Sequence, residues 1–215
     1  MVTNSKEEHE YLYDKALPGH HHNYLVPPLQ KMLSGTSLTK GVPLKILDIG
    51  CGNGSLSNFF ASLGYEVIGI EDSKSGIALA KQNFPNCEFI HSSVYDLPYQ
   101  DLEDKFDIVL STEVIEHLLY PRILIQAAKR CLKPDGKLIL TTPYHGYLKN
   151  LALALTGNMD KHFTVLWDGG HIKFFSPKTL SALITEEGFT ELEWGFAGRI
   201  PFLWKSMLVS ARLSD

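Results

Sequence analysis

The chain has few cysteines, no long apolar run and no concentration of positive charge, and each shortage removes a class of function. Its cysteines are Cys51, Cys87 and Cys131, an odd number with no C-x-x-C spacing. That argues against a disulfide framework and suits a reducing, cytoplasmic setting. The formal charge is -4, with no basic stripe, so the chain carries no electrostatic footprint for DNA or RNA. No apolar run approaches the roughly 18 residues of a membrane span. The polar start "MVTNSKEEHEYLYDK" does not read as a signal peptide. Repeats and low-complexity linkers are also missing. What remains is 215 residues, 44% apolar and 20% charged, the size and balance of a single globular unit.

From about residue 44 the sequence alternates apolar strand-like runs with helical patterns. "LKILDIG", "YEVIGIE", "CEFIHSS", "FDIVLST" and "KLILTTP" read as five strands. "SLSNFFASLG", "SGIALAKQNF" and "YPRILIQAAKRCLKPDG" read as the helices between them, the last ended by Pro134 and Gly136. This rhythm predicts an α/β fold, a doubly wound and mostly parallel sheet covered on both faces. Ligands then bind at the carboxyl ends of the strands. The tail supplies two more strands around Gly198 and Pro201. Residues 1–43 form an N-terminal helical lid region and residues 44–215 the catalytic domain, with an insert at about 143–176.

The run "KILDIGCGNGSL" leaves the first strand through Gly50, Gly52 and Gly54, with Cys51 between the first pair. A dinucleotide loop would space its third glycine one residue later and would set pyrophosphate beside Asp48. A carboxylate there favours positive charge; an opposite pair at about 4 Å near a surface interacts by about 4 kcal/mol before desolvation. Free loop N–H groups would receive a carboxylate. A ligand with an ammonium, a cationic sulfur and a carboxylate meets both demands, and S-adenosylmethionine has all three. Glu71 and Asp72, about 20 residues on, stand where an acid accepts hydrogen bonds from ribose hydroxyls.

These blocks, with "LKPDGKLILTTP" and "HIKFFSPKTLSALITEEGF", resemble a class I S-adenosylmethionine-dependent methyltransferase. The branch resembled most contains the ubiquinone-biosynthesis O-methyltransferases. The resemblance implies a seven-stranded Rossmann-like sheet in which the tail gives the last two strands, one of them antiparallel. It also implies that Asp48, Gly50 and Gly52 hold the methionine end, Glu71 the ribose, and Thr112 the flank of the sulfonium. Ser93 and Val94 align with the adenine contact, with Asp96 just beyond. Some relatives of this branch hold a divalent metal with the pattern E-x-x-E-H, which Glu113, Glu116 and His117 match here. The acceptor implied is a small molecule, methylated on oxygen by analogy.

"EVIEHL" follows the fourth strand, and at helical spacing Glu113, Glu116 and His117 share a face. A general base, a metal site and a tie between loop and neighbouring strand are all open to such a set. His117 and His145 are the catalytic candidates, and no metal is assigned. His20, His21 and His22 read as a solvated loop, with a lid or substrate contact the alternative. By the resemblance His171 orients the insert. In that insert Tyr144, Tyr147, Leu148, Leu151, Leu155, Phe163 and Trp167 read either as an apolar pocket or as plain packing. Two other functions stay open: a non-catalytic protein that binds S-adenosylmethionine, and a NAD-dependent oxidoreductase.

Overall fold

The computed structural model describes residues 10–34 and 42–213. Much of the polar start that bears on a signal peptide lies outside the described residues. Among those described, β1 (Lys45–Ile49), β2 (Glu66–Glu71), β3 (Glu88–His91), β4 (Phe106–Thr112), β5 (Leu132–Pro143), β6 (Phe189–Ala197) and β7 (Ser206–Leu213) form one sheet. Its order is β3-β2-β1-β4-β5-β7-β6. β1 to β5 pair parallel, and β7 runs antiparallel to both β5 and β6. The seven-stranded, doubly wound sheet expected from the sequence is therefore present. The strand order reverses at β1, between β2 and β4, which opens a crevice at their carboxyl ends.

Side chains alternate across the strands, so each strand feeds two cores. Leu47 and Ile49 of β1, Val109 of β4 and Leu138 and Leu140 of β5 face one core. That core is closed by α5 (Arg122–Cys131) and α8 (Pro177–Glu186). Ile46, Ile108, Leu110 and Ile139 face the other, closed by α1 (His22–Ser34) and α2 (Ser55–Ser62). Asp48 lies between Leu47 and Ile49, so the same alternation sends its carboxylate toward α2. α3 (Lys74–Asn83) packs Ile77 and Ala80 against Phe89 and Cys51.

Three boundaries differ from the sequence reading. α5 stops at Cys131 and β5 already begins at Leu132, which pairs with Phe106 before a break in register. Pro134 cannot donate to a helix, and Asp135 turns the chain at φ 60°. The "EVIEHL" segment is a single 3-10 turn over Ile115–His117. Glu113 stands outside it at φ 54°, so the helical face proposed for the three residues does not form. Third, α1 is not part of a lid. Leu25, Leu29 and Leu33 are fully buried in the α2-side core, while the segment before α1 and the first turn of α1, through His22 and Tyr24, border the crevice.

In the insert, α6 (Tyr147–Leu155) and α7 (Met159–Phe163) follow β5. α8 begins with Ser176 capping Thr179 and Pro177 at its first turn, as its sequence prescribes. Since α1 is core, Leu29→Ala should cost about 2–5 kcal/mol of stability in urea denaturation. A free lid helix would leave the midpoint where it was.

Candidate functional site

A cavity of about 1210 Å³ opens at the carboxyl ends of β1, β2 and β4. Gly50, Cys51, Gly52, Glu71, Asp72, Ser93, Val94 and Thr112, separated by up to 62 positions, all line it. Asp96 is exposed and lies outside it. The glycine loop turns under it with Gly52 at φ 56° and Gly54 at φ 77°. A Cβ on Gly52 would lie 2.8 Å from the Tyr13 hydroxyl, and one on Gly54 would strike Phe89 and Ala80. The first glycine is thus kept for what covers the loop, the second for packing beneath it.

Two sequence expectations about this loop are corrected. Asp48 is fully buried and absent from the cavity wall. Its Oδ2 accepts a 2.6 Å hydrogen bond from Ser57 on α2, and its Oδ1 has no partner. Burial pushes the carboxyl up to about 7, the Ser57 bond opposing and Glu71 adding to the rise. The loop N–H groups are also mostly taken. Gly50 and Cys51 donate to Ile70 O at 2.7 and 2.9 Å, Gly54 donates to Cys51 O, and Gly52 donates to Glu71 Oε2 at 2.8 Å. A pyrophosphate would find few free donors here.

Glu71 is the acid that faces the cavity. Its Oε1 accepts from Ser73 N–H at 2.8 Å, so one carboxylate ties the loop to the start of α3. Burial raises its pKa against those bonds. Beyond the effect of burial, the neighbouring Glu71 carboxylate pushes up the Tyr13 hydroxyl and the Cys51 thiol. An ionised Glu71 therefore gives the loop a negative neighbour, hostile to phosphate and favourable to a cation.

The segment before α1 covers this floor. Asn53 Nδ2 donates to Lys15 O and Leu17 O at 2.7 and 2.9 Å, and Tyr13 N–H donates to Ser75 Oγ. Glu10 accepts from Ser75 N–H. His20, His21 and His22 line the cavity as well, and burial lowers His21 and takes His22 down to about 4. This is the lid reading of the histidines, not the solvated loop. The signal in the sequence was the aromatic and histidine density just ahead of an apolar helix.

Beyond β4 the acid–histidine cluster divides. Glu113 accepts from Thr141 Oγ1 at 2.8 Å and Ser206 Oγ at 3.2 Å, and burial raises it to about 7. Glu116, fully buried, accepts from Thr142 Oγ1 at 3.0 Å through Oε2, while Oε1 has no partner. Burial and then Glu113 hold it well above the usual carboxylate range. His117 Nδ1 donates to Gly169 O at 2.8 Å, which leaves Nε2 as the ring's acceptor. Burial lowers its pKa, so the ring is neutral.

His171 takes the place expected for Glu113 beside the other two. Ligand atoms of Glu116, His117 and His171 lie within 4.8 Å of one another. One unpartnered carboxylate oxygen and two imidazoles are donors that suit zinc better than magnesium. His145 is absent from the large cavity and lines a second one of about 660 Å³ under the insert. Phe163 and Trp167 line that second cavity, whereas Tyr147, Leu148, Leu151 and Leu155 are exposed and Tyr144 packs in the core.

A family model described as a methyltransferase domain matches residues 20–193. The chain is 32% identical over 180 residues to a ubiquinone biosynthesis O-methyltransferase of Ruegeria sp., covering 80% of this chain and 70% of that one. It is 32% identical over 148 residues to the protein of the same description from Bradyrhizobium diazoefficiens, covering 66% of this chain but only 57% of the relative. Its fold is similar to magnesium protoporphyrin IX methyltransferase from Synechocystis with bound S-adenosylhomocysteine, at a TM-score of 0.69 and 20% identity. That match covers 90% of this chain and 84% of the other.

Burying Asp48 in its neutral form makes stability depend on pH. With a folded pKa near 7 and an ordinary value of 3.8, its contribution is complete below about pH 4 and is lost as pH rises through 7. Asp48→Asn keeps an acceptor for Ser57 and cannot ionise. Urea denaturation at pH 4.5 and 7.5 should show the variant gaining on the wild type by about 3 kcal/mol, at about 1.4 kcal/mol per pKa unit. An unchanged difference would mean that the carboxyl is already ionised in the fold.

Proposed function

Because the chain belongs to the methyltransferase-domain family, as a class I S-adenosylmethionine-dependent enzyme, we propose that the large cavity holds the cofactor and that the acceptor is a small molecule methylated on oxygen. The observation that carries this reading is the Glu71-tied glycine loop, a floor in a negative field with few N–H groups to spare. Glu71 and Asp72 take the ribose hydroxyls, and Gly50 to Gly52 meet the methionine end. Ser93 and Val94 flank the adenine, and Thr112 stands beside the sulfur. The O-methyl assignment rests on the similarity to ubiquinone biosynthesis O-methyltransferases, and the exclusion of nucleic acid on the net charge of -4. Residues 1–43 and 44–215 remain our division of the chain, with α1 counted into the core of the second.

When bound, S-adenosylmethionine supplies a methyl group on a cationic sulfur. The chain's part is to align an acceptor oxygen with that methyl group and to keep water out, which is catalysis by proximity. The strap of residues 10–21 and Trp167 of the insert close over the cavity for this purpose. His117, neutral with Nε2 unprotonated, is the candidate to take a hydroxyl proton as the new bond forms. The same nitrogen, with Glu116 and His171, is the alternative ligand set for a divalent ion that would pin the insert to β4; it can serve only one of these roles.

Calorimetry should give micromolar binding of S-adenosylmethionine and S-adenosylhomocysteine, weakened at least about tenfold in Glu71→Ala, about 1.4 kcal/mol or more. Binding of NADH in their place would overturn the assignment. Binding without turnover against phenols, carboxylates and amines would leave a cofactor-binding protein without methyl transfer. For the metal set, zinc added to the metal-stripped protein should raise Tm by several degrees in the wild type and by none in Glu116→Gln.

A further inference from the structure

α6 is built inside out. Lys149 is buried with 4% of its surface exposed and Asn150 is half-buried, while Tyr147, Leu148, Leu151 and Leu155 face outward. A helix of an ordinary domain does the reverse, because burying an amine or an amide without partners costs several kcal/mol. Lys149 finds one: its Nζ donates to Tyr144 O at 2.7 Å. Asn150 is less well served. Its backbone N–H donates to Gly146 O, its Oδ1 is shut off from water with the His145 ring beside it, and its amide nitrogen makes no hydrogen bond to any described residue.

Asn150 lines the second cavity, whose walls join Phe163, Trp167 and Phe174 to the polar Thr164, Asp168 and His171. His145 stacks on Phe163 at 13° and meets Phe174 edge-on. The two cavities share Trp167, Gly169 and His171 and so adjoin along that edge. We propose that this cavity is the acceptor pocket and that Asn150 is its specificity-determining residue, matching a hydrogen-bonding group on a flat and otherwise apolar acceptor.

The proposal deepens the methyltransferase reading and rests on it for the meaning of "acceptor". It explains why α6 keeps an amide inward: an unpaired amide nitrogen beside aromatic walls repels a ligand that offers nothing to it, and holds one that does. An aromatic ring fits between Phe163, Phe174 and Trp167 by offset or edge contacts. An oxygen on that ring can accept from the amide nitrogen, the end of the side chain that is not shut off.

The test uses the full chain saturated with S-adenosylhomocysteine, titrated calorimetrically with 2-methoxynaphthalene and with 2-ethylnaphthalene, its isostere without the acceptor oxygen. The wild type should bind 2-methoxynaphthalene roughly tenfold more tightly. Asn150→Leu should abolish that preference while keeping the affinity for S-adenosylhomocysteine within about twofold, which also reports that the variant is folded. Phe174→Ala should weaken both probes and preserve their ratio. Equal binding of the probes by the wild type, a preference that survives Asn150→Leu, no binding of either, or competition of the probes with S-adenosylhomocysteine would each overturn the proposal. Loss of S-adenosylhomocysteine binding by the wild type would instead sink the methyltransferase reading, and the probe titrations without it would still judge the pocket.

Discussion

One carboxylate organises the crevice. Glu71 ends β2 and accepts from Gly52 on one side and Ser73 on the other, so the glycine loop and the first turn of α3 are held by the same group. Without it, two buried N–H groups would lose their partners, at about 1–3 kcal/mol each. The loop would also lose the charge that sets its preference. A carboxylate carries about four acceptor sites, so Glu71 can keep both backbone bonds and still receive ribose hydroxyls. Structure and recognition draw on the same side chain and do not compete for it.

Asp48 shows where sequence reading reaches its limit. Its position two residues before Gly50 marked the family, and that reading stands in the comparisons. The direct contact did not follow, because strand alternation is a stronger rule than proximity in sequence. With Leu47 and Ile49 committed to one core, the carboxylate has to face α2, and Ser57 meets it there.

The strands and the cofactor wall were legible because they rest on local pattern: apolar runs, glycine at positive φ, an acid at a strand end. The acid–histidine cluster was not, because its spacing was read on a helix that never forms. Glu113 at φ 54° leaves the turn and joins Thr141 and Ser206, and His171, more than 50 positions away, comes in instead. No periodicity announces a partner delivered by an insert. The polar lining of α6 was hidden for a related reason, since its sequence is amphipathic either way round and only the packing tells which face is in.

Trp167 joins the two halves of the site. Its ring meets Tyr11 of the strap at 6.1 Å, His117 at 5.9 Å and His171 at 6.0 Å. The strap is anchored to the cofactor floor through Asn53 and Ser75, and the insert is anchored to Glu116 O through the N–H groups of Ile172 and Lys173 at 2.9 Å. A ligand that orders the strap over the glycine loop therefore also steadies one wall of the second cavity. Trp167 thus stands in the wall of both cavities and against the strap at once. Closure over both cavities by a single indole is how this fold can exclude water from the point where they meet.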